Sequence, residues 1–333
     1  MPGIPALLRR APTVLAGLAL LLILLGLLGR VPMLLDALSA FLIQLTALAA
    51  AAALWALLRR RFLALVLALA AIGLAAIGAP QALRDAKRPA AERPVRPLVI
   101  ATANVFYGNT ELPALSVALE TIDADILVTI ETPLTLWEEP GTLATRYPYR
   151  RLTINSGRGW GVAVWSKLPF AEGVRPHLGG NPRHVIVGLD LGDGGPPLRV
   201  MGLHMDWPVF GAQARAYDDF DRFWRMFRPP GQTVIAGDFN AAPWSSLIAR
   251  VSAVSGTRPV DGLRMTWRGG VGGRAGRFFV PGGLPIDHVL LSDGIGVRGA
   301  WTLALPGSDH RAVIVEAIVP LLSESAASQT VDK

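Results

Sequence analysis

Thr233-Val234-Ile235-Ala236-Gly237-Asp238-Phe239-Asn240 decides how this chain is read. Four apolar residues of strand length and composition run into an acid and an amide, so Asp238 and Asn240 fall where a buried strand ends. A second segment, Gly307-Ser308-Asp309-His310, stands just before another such run, Ala312-Val313-Ile314-Val315, so its acid and imidazole fall where a strand begins. Either segment alone reads equally well as an Asx turn. Two of them in one domain, with a third partner between, point to chemistry.

Outward from these segments, short apolar runs recur at 98–103, 126–130, 161–165, 184–189, 198–203, 286–291 and 312–318. Several are apolar throughout rather than alternating, the mark of strands covered on both faces. Helical patterns fall between some of them, at 112–122 and 212–227. In the second, Phe220, Phe223, Trp224 and Phe227 form a stripe that reads as a face packed on a sheet. The expected fold is a mixed α/β domain with one core and no internal repeat. Asn104, Glu131 and His204 close three of the runs, and Asp287 lies in a fourth. A set rich in carboxylate and amide oxygens, with few histidines and no cysteine, suits Mg²⁺ or Mn²⁺ rather than zinc.

The order of these motifs, from Asn104-Val105 through Glu131 and Gly-Asp-Phe-Asn to Ser-Asp-His, resembles the endonuclease/exonuclease/phosphatase superfamily over residues 98–318. The resemblance implies a four-layer α/β sandwich, two mixed sheets with helices outside. It also implies divalent-metal-dependent hydrolysis of a phosphate ester. On the matching positions, Glu131 is the main metal ligand with Asn104 beside it as a ligand or phosphate donor, and Asp309 is a further metal-side carboxylate. Asp238 orients or deprotonates the attacking water and Asn240 positions it. His310 contacts the scissile phosphate, Asp287 fixes its tautomer, and His204 is the acid for the leaving oxygen. One departure is local: Ile130 and Thr132 flank Glu131, where many members carry Gln-Glu.

The other histidines carry less. His288 should face away from Asp287 by strand alternation, and His177 and His184 are weak candidates for substrate contact. Asp206 is a candidate support for His204. Trp207-Pro208-Val209-Phe210 reads either as an apolar rim or as a turn on the core. A glycine-rich stretch, 262–285, holds Arg264, Arg268, Arg274 and Arg277. The last three are candidate substrate-binding cations, and Thr266-Trp267 matches a Thr-Trp found in this part of many relatives.

Hydrophobic content is 51%, and it is concentrated at the start of the chain. Three stretches, about 13–29, 33–58 and 62–79, are of near-spanning length, giving an expected three-helix transmembrane anchor over 1–79. Asp36 and Gln44 interrupt the second stretch and receive no role. Residues 80–97, with four prolines and seven charges, read as a linker, 98–320 as the enzyme and 321–333 as a disordered tail. No candidate catalytic residue precedes 98, so anchor and enzyme are expected to be separable.

The net charge of +7 belongs to the anchor flanks: residues 1–97 hold 11 Lys+Arg against 3 Asp+Glu, the remainder 21 against 22. A near-neutral domain gives no support to tight polynucleotide binding. Arg9, Arg10 and Arg59–Arg61 on one side and Arg30 on the other predict a cytoplasmic N-terminus and an extracytoplasmic domain in a multi-pass inner membrane protein. Arg84, Lys87, Arg88, Arg93 and Arg96 pull the other way. Three function classes stand: a membrane-anchored phosphodiesterase or phosphatase on a small or lipid-linked ester, an extracytoplasmic nuclease on DNA or RNA, and a catalytically silent binding module. The expected partners are the phosphate ester and, through the anchor, membrane lipids; no protein partner is indicated.

Overall fold

The computed structural model describes residues 4–28, 33–89, 94–155, 159–171, 183–208, 211–227, 231–268, 270–271 and 278–321. The strands are β1 (Val95–Asn104), β2 (Ile126–Pro133), β3 (Tyr149–Asn155), β4 (Trp160–Ser166), β5 (His184–Leu189), β6 (Leu198–His204) and β7 (Thr233–Asp238). Then follow β8 (Thr257–Pro259), β9 (Gly270–Val271), β10 (Phe278–Phe279), β11 (Asp287–Ser292), β12 (Gly296–Ala304) and β13 (Arg311–Pro320). The helices of eight residues or more are α1 (Ile4–Leu28), α2 (Leu42–Leu58), α3 (Phe62–Gly78), α4 (Leu112–Ile122), α7 (Ala212–Phe227) and α8 (Ser246–Ser255), with short α5 (Leu134–Glu138) and α6 (Thr142–Arg146) between.

Two mixed sheets carry the fold, one ordered β12-β13-β1-β2-β4-β3 and the other β5-β6-β7-β11-β8, with β9-β10 a small separate ribbon. Only β1–β2 and β6–β7 pair in parallel among the described strands. Alternation within the strands builds three apolar layers. Ile100, Val128, Val164, Val200, Val234, Val289 and Val313 fill the space between the sheets. On the outer face of the five-stranded sheet, Met201 and Ile235 meet Phe220 and Trp224 of α7 and Val251 of α8. Ala101 and Ala103 of the six-stranded sheet meet Leu115 and Leu119 of α4. Both faces of the central strands are therefore dry, which is why their sequences are apolar throughout.

At the N-terminus the pattern inverts. Ala16, Ala19, Ala49, Ala52, Ala56, Ala64, Ala68, Ala71 and Ala75 are buried between α1, α2 and α3, while Leu21, Leu54, Leu57, Phe62, Leu63 and Ile77 point outward. Small residues let the three helices approach closely, with Ile23 and Leu42 as larger buried members. Two stretches, Arg10–Leu28 and Asp36–Leu58, are long and apolar enough to cross a membrane. The third expected span is a shorter helix, Phe62–Gly78 of 17 residues. The second begins in a 3-10 helix, Met33–Phe41, rather than as α-helix from its first residue.

The expected linker is not a free tether. Pro80–Leu83 forms one 3-10 turn, and Arg88 exchanges backbone hydrogen bonds with Val297 at 2.9 and 2.7 Å. Strand β1 begins at Val95, three residues before the expected boundary at 98. Prolines 89, 94 and 97 forbid a helix there but leave extended backbone free to pair at a sheet's end. Most of the expected C-terminal tail, 322–333, lies outside the described residues.

Candidate active site

Each motif glycine has a steric reason. A Cβ on Gly237 would lie 1.8 Å from the carbonyl oxygen of Leu203, so only glycine lets β6 and β7 approach closely enough to set Asp238 beside His204. Gly307 has φ +69°, and a Cβ there would meet the Asn109 side chain at 1.9 Å. The turn it permits lets Ser308 Oγ donate to the Asn104 carbonyl (2.8 Å) and accept from His310 N (3.0 Å). Ser308 thus ties the start of β13 to the end of β1.

Glu131 is aimed by a bulge. Pairing of β2 with β4 slips between Thr129 and Thr132, and Glu131 takes φ +56°. Non-glycine residues there are uncommon and mark sites where the surroundings over-determine the backbone. Here the surroundings are hydroxyls: Thr129 and Thr132 pair at 2.7 Å, and Trp165 Nε1 donates to Thr129 at 2.8 Å. Asn240 is the second site residue with a left-handed backbone, φ +49°.

These devices bring Asn104, Glu131, His204, Asp238, Asp287, Asp309 and His310 to one edge of the sandwich. Asp238 Oδ2 is the hub: it lies 3.1 Å from Asn104 Nδ2, 3.8 Å from His310 Nε2 and 4.0 Å from His204 Nε2. Its other oxygen accepts from Asn240 N at 2.8 Å. Glu131 Oε1 stands 3.9 Å from His204 Nε2, and Oε2 accepts from Tyr107 N at 3.2 Å. Asp309 Oδ1 is 4.0 Å from His310 Nε2, while Oδ2 accepts from Trp267 Nε1 at 2.9 Å. His310 Nδ1 and Asp287 Oδ2 are 2.8 Å apart. With a carboxylate as acceptor, Nδ1 carries the hydrogen and Nε2 faces the cleft.

Burial and charge compete here. Burial alone would lower the His310 pKa, but the charge and hydrogen bond of Asp287, with Asp238 and Asp309 behind them, raise it to about 10. Asp238 is pushed up, first by burial and then by repulsion from Asp287, with His310 opposing. Glu131 is also raised by burial, against the hydrogen bonds from Tyr107 and Asn104. Carboxylates shifted this way at a cleft beside an imidazolium are characteristic of acid–base sites.

Several expectations change in detail. Asn104 turns its amide nitrogen toward Asp238 and, more distantly, Glu131 (3.4 Å), because its oxygen accepts from Phe106 N (3.1 Å). In this orientation it stands as a donor between the carboxylates. Asn240 donates one Nδ2 hydrogen to the Met205 carbonyl (2.8 Å), which fixes the direction of its amide and leaves its oxygen to meet a water. Asp206 pairs with Arg183, not His204. Arg268 is exposed and joins the site loop through its backbone N–H to the Asp309 carbonyl (2.9 Å); Arg274 and Arg277 lie outside the described residues, as does His177. Arg264 folds back onto the carbonyls of Val260 and Asp261. His288 points away, donating Nε2 to the Ala241 carbonyl at 2.8 Å, and burial lowers its pKa to about 4. His184 packs on Phe223 of α7.

Residues not singled out support the site. Thr266 Oγ1, wholly buried, accepts from Asp287 N and Ile286 N at 3.0 and 3.2 Å. Tyr107 stacks on Trp160 at 5.9 Å, and Trp160 lies 5.5 Å from His204. Trp207 meets Trp267 edge-on at 5.7 Å; Val209 and Phe210 lie outside the described residues. The Thr-Trp pair was the one sequence signal for this support, since backbone contacts such as Tyr107 N leave no trace in residue type.

The donors fit a hard cation. Asp238, Asp287 and His310 are the tightest trio of ligand atoms among the described residues, within 4.8 Å of one another. Asp287 and His310, however, direct their lone pair and hydrogen at each other. Glu131, Asp238 and Asp309 add carboxylate oxygens beside this pair, and Asp287 Oδ1 is buried without a hydrogen-bond partner; these are hard donors with no thiolate, suited to Mg²⁺ or Mn²⁺.

A two-sheet α/β sandwich with an acid–imidazole pair and clustered carboxylates at one edge defines a phosphoesterase-type fold and site. The model of the endonuclease/exonuclease/phosphatase family matches residues 101–310, and the chain belongs to that family. Its members are hydrolases acting on phosphate esters and are typically dependent on a divalent metal. Similar solved structures include an endonuclease/exonuclease/phosphatase family protein from Bacteroides thetaiotaomicron, at 17% identity and TM-score 0.52, covering 68% of this chain and all of that one. The 3' phosphatase NExo from Neisseria, bound to a product DNA hairpin, is 21% identical at TM-score 0.52, covering 66% and 98%. TDP2 from C. elegans is 15% identical at 0.51, covering 67% and 75%. At these identities the likeness is one of fold. No curated protein sequence matches the chain.

Proposed function

We propose that the chain is a membrane-anchored, divalent-metal-dependent phosphoesterase that hydrolyses a phosphodiester or phosphomonoester by in-line attack of water. The observation that carries this is the Asp287–His310 pair at 2.8 Å, whose Nε2 faces Asp238 Oδ2 across 3.8 Å. That spacing puts a donor for a phosphate oxygen and an acceptor for a water proton on the same small space. His310 holds a proton on Nε2 toward the phosphate, and Asp287 keeps Nδ1 occupied so that the ring cannot turn. Asp238 accepts the proton of the attacking water, and the oxygen of Asn240 orients that water. His204, backed by Trp160, delivers a proton to the leaving oxygen. Asn104 donates between the carboxylates, and Glu131 and Asp309 hold the cation. When bound, Mg²⁺ or Mn²⁺ neutralises the phosphate oxygens. Arg268, with Arg274 and Arg277, supplies positive charge for the substrate.

Membrane anchoring is supported by the inverted burial of α1–α3 and by charge. Arg59–Arg61 lie at the turn between α2 and α3 and Arg10 in the N-terminal half of α1, whereas Ile23, Leu42 and Ala79 toward the other ends pack with Ala242 and Trp244 of the enzyme, as expected for a cytoplasmic face with the catalytic domain outside. Two of the arginines that oppose this topology belong to the domain: Arg88 Nε donates to the Ile295 carbonyl and Arg96 to that of Leu191. The test assays the full chain with Mg²⁺, Mn²⁺ or chelator on a generic phosphodiester, plasmid DNA and phospholipid vesicles in parallel. Chelator-sensitive release from the generic ester or vesicles is expected. Cleavage of DNA alone would make it a nuclease, and a folded chain inert on all three a binding module.

A further inference from the structure

The loops behind the catalytic residues are gripped by the membrane bundle. Asp36, on the 3-10 helix before α2, is only 4% exposed. Its carboxylate accepts from Ser246 N (2.9 Å), Ser246 Oγ (2.9 Å) and Leu247 N (3.1 Å), the first turn of α8. Helix α8 already has a local cap, since Ser245 Oγ accepts from Ile248 N at 3.2 Å. Asp36 therefore takes the remaining orphan N–H groups of that turn, where the helix dipole favours negative charge. Beside it Trp244 Nε1 donates to the Ser39 carbonyl (2.8 Å) and Gln81 Nε2 to the Pro243 carbonyl (3.0 Å). Ala242 and Trp244 are buried among Ile23, Leu42, Ala71 and Ala75 of the bundle. This gripped loop, 241–245, follows Asn240 directly.

A second grip lies on the other strand end. Gln44 Nε2 donates to the carbonyls of Pro281 (3.0 Å) and Gly283 (2.7 Å). Ala40 packs with Trp267, Leu284 and Ile286. Ile286 precedes Asp287 and accepts from Phe239 N at 2.9 Å, and Trp267 holds Asp309. The two loops so held are the ones that set Asp238, Asn240, Asp287 and Asp309 relative to one another.

We infer that Asp36 is a positioning residue for the phosphoesterase centre, with Gln44 as its counterpart on the second loop, so that the membrane bundle is part of the active-site scaffold rather than a tether. The inference rests on the proposed activity. It accounts for an acid and an amide in an otherwise apolar stretch: both are spent on backbone groups of the enzyme. Misplacing catalytic groups by about 1 Å can cost on the order of 10²-fold in rate, so a looser loop reads out in kcat before it reads out in folding.

The test uses the full chain in detergent or nanodiscs, with bis-p-nitrophenyl phosphate as a soluble substrate and saturating Mg²⁺ or Mn²⁺. Asp36→Ala should lower kcat at least ~10-fold with KM changed less than about 2-fold, and Asp36→Asn, which keeps one of the two acceptor oxygens, should recover part of the loss. Gln44→Met, near-isosteric and apolar, should lower kcat about 3-fold without changing the melting temperature; it keeps the inference falsifiable if Asp36→Ala does not fold. An active wild type with folded Asp36→Ala or Gln44→Met variants turning over at its rate overturns the inference alone. A folded wild type without metal-stimulated hydrolysis overturns the functional proposal and this inference with it.

Discussion

The wall and the rim of the cleft are built to different standards of rigidity. In the wall, the side chains of Asp238, Asp287 and His310 are 3, 1 and 7% exposed. Bonds of 2.8 Å tie Asp287 to His310 and Asp238 to Asn240. At the rim, Glu131 is 17% and Asp309 43% exposed, and each keeps one oxygen toward the cleft with neighbours no nearer than 3.4 Å. Groups that hold or move protons gain from a fixed direction and a low dielectric. Groups that hold a hard cation must be reachable and must adjust to its geometry. The division predicts that substitutions in the wall change the chemical step, whereas those at the rim change how much cation is needed.

The largest effect should come from Asp238→Asn. The two side chains are nearly isosteric, but an amide cannot take a proton from water, so kcat should fall at least ~10²-fold. Because burial and Asp287 raise the Asp238 pKa, ionising it disfavours folding, and the neutral variant should melt at or above the wild-type temperature. Full activity would break the wall's claim to the chemistry. A lowered melting temperature would show that the buried charge is compensated.

Asp287→Asn comes next. With its pKa at about 10, His310 keeps its proton across neutral pH. This folded value lies above the ordinary ~6.5. The stabilisation it brings is therefore complete below about 6.5 and is lost as pH rises through about 10. Without that carboxylate, burial lowers the imidazole pKa against only Asp238 and Asp309. Turnover at pH 8 should fall roughly 10- to 100-fold, and the alkaline limb of the pH–rate profile should move toward neutrality. An unmoved limb would mean that another group sets it.

Much of this wall was foreshadowed by the order of its motifs, each of which alone reads as well as a turn. Apolar runs buried on both faces, closed by Gly-Asp-Phe-Asn and opened by Ser-Asp-His, place acids and an imidazole at strand ends in one domain. What escaped had no local signal. The edge strand β12, Gly296–Ala304, mixes exposed and buried residues and breaks its register beside Gly299. The orientation of the Asn104 amide depends on the backbone N–H of Phe106. Asp36 and Ser246 stand 210 residues apart, and no periodicity joins an acid in an apolar span to a serine at a distant helix start. Separability of anchor and enzyme was an expectation from catalytic residue positions alone; the hydrogen bonds of Asp36, buried, and of Gln44 and Gln81, nearer the surface, are what a separated enzyme would lose.

Glu131→Gln tests the rim. Losing the charge while keeping the shape should raise the half-saturating Mg²⁺ or Mn²⁺ concentration ~10-fold or more, with kcat at saturating cation within a few-fold of wild type. A cation titration of initial rates reads this directly. If saturating cation does not restore kcat, Glu131 belongs with the wall.

Trp267→Phe should give the smallest effect and the finest cut between the two regions. Phenylalanine keeps an aromatic ring against Ala40, Val280, Leu284 and Ile286 and removes the Nε1 hydrogen bond to Asp309 Oδ2. A hydrogen bond to a charged group contributes about 1.5–3 kcal/mol when well buried, but Asp309 is 43% exposed and water replaces much of the loss. The half-saturating cation concentration should therefore rise about 3-fold, with kcat and melting temperature unchanged. The backbone of the same residue bridges His310 on one side and Leu284 on the other, so the substitution also asks whether ring and backbone do separate work. A fall in kcat at saturating cation would show that the indole transmits order from the rim to His310. The wall would then extend through Trp267 to the bundle that packs on it.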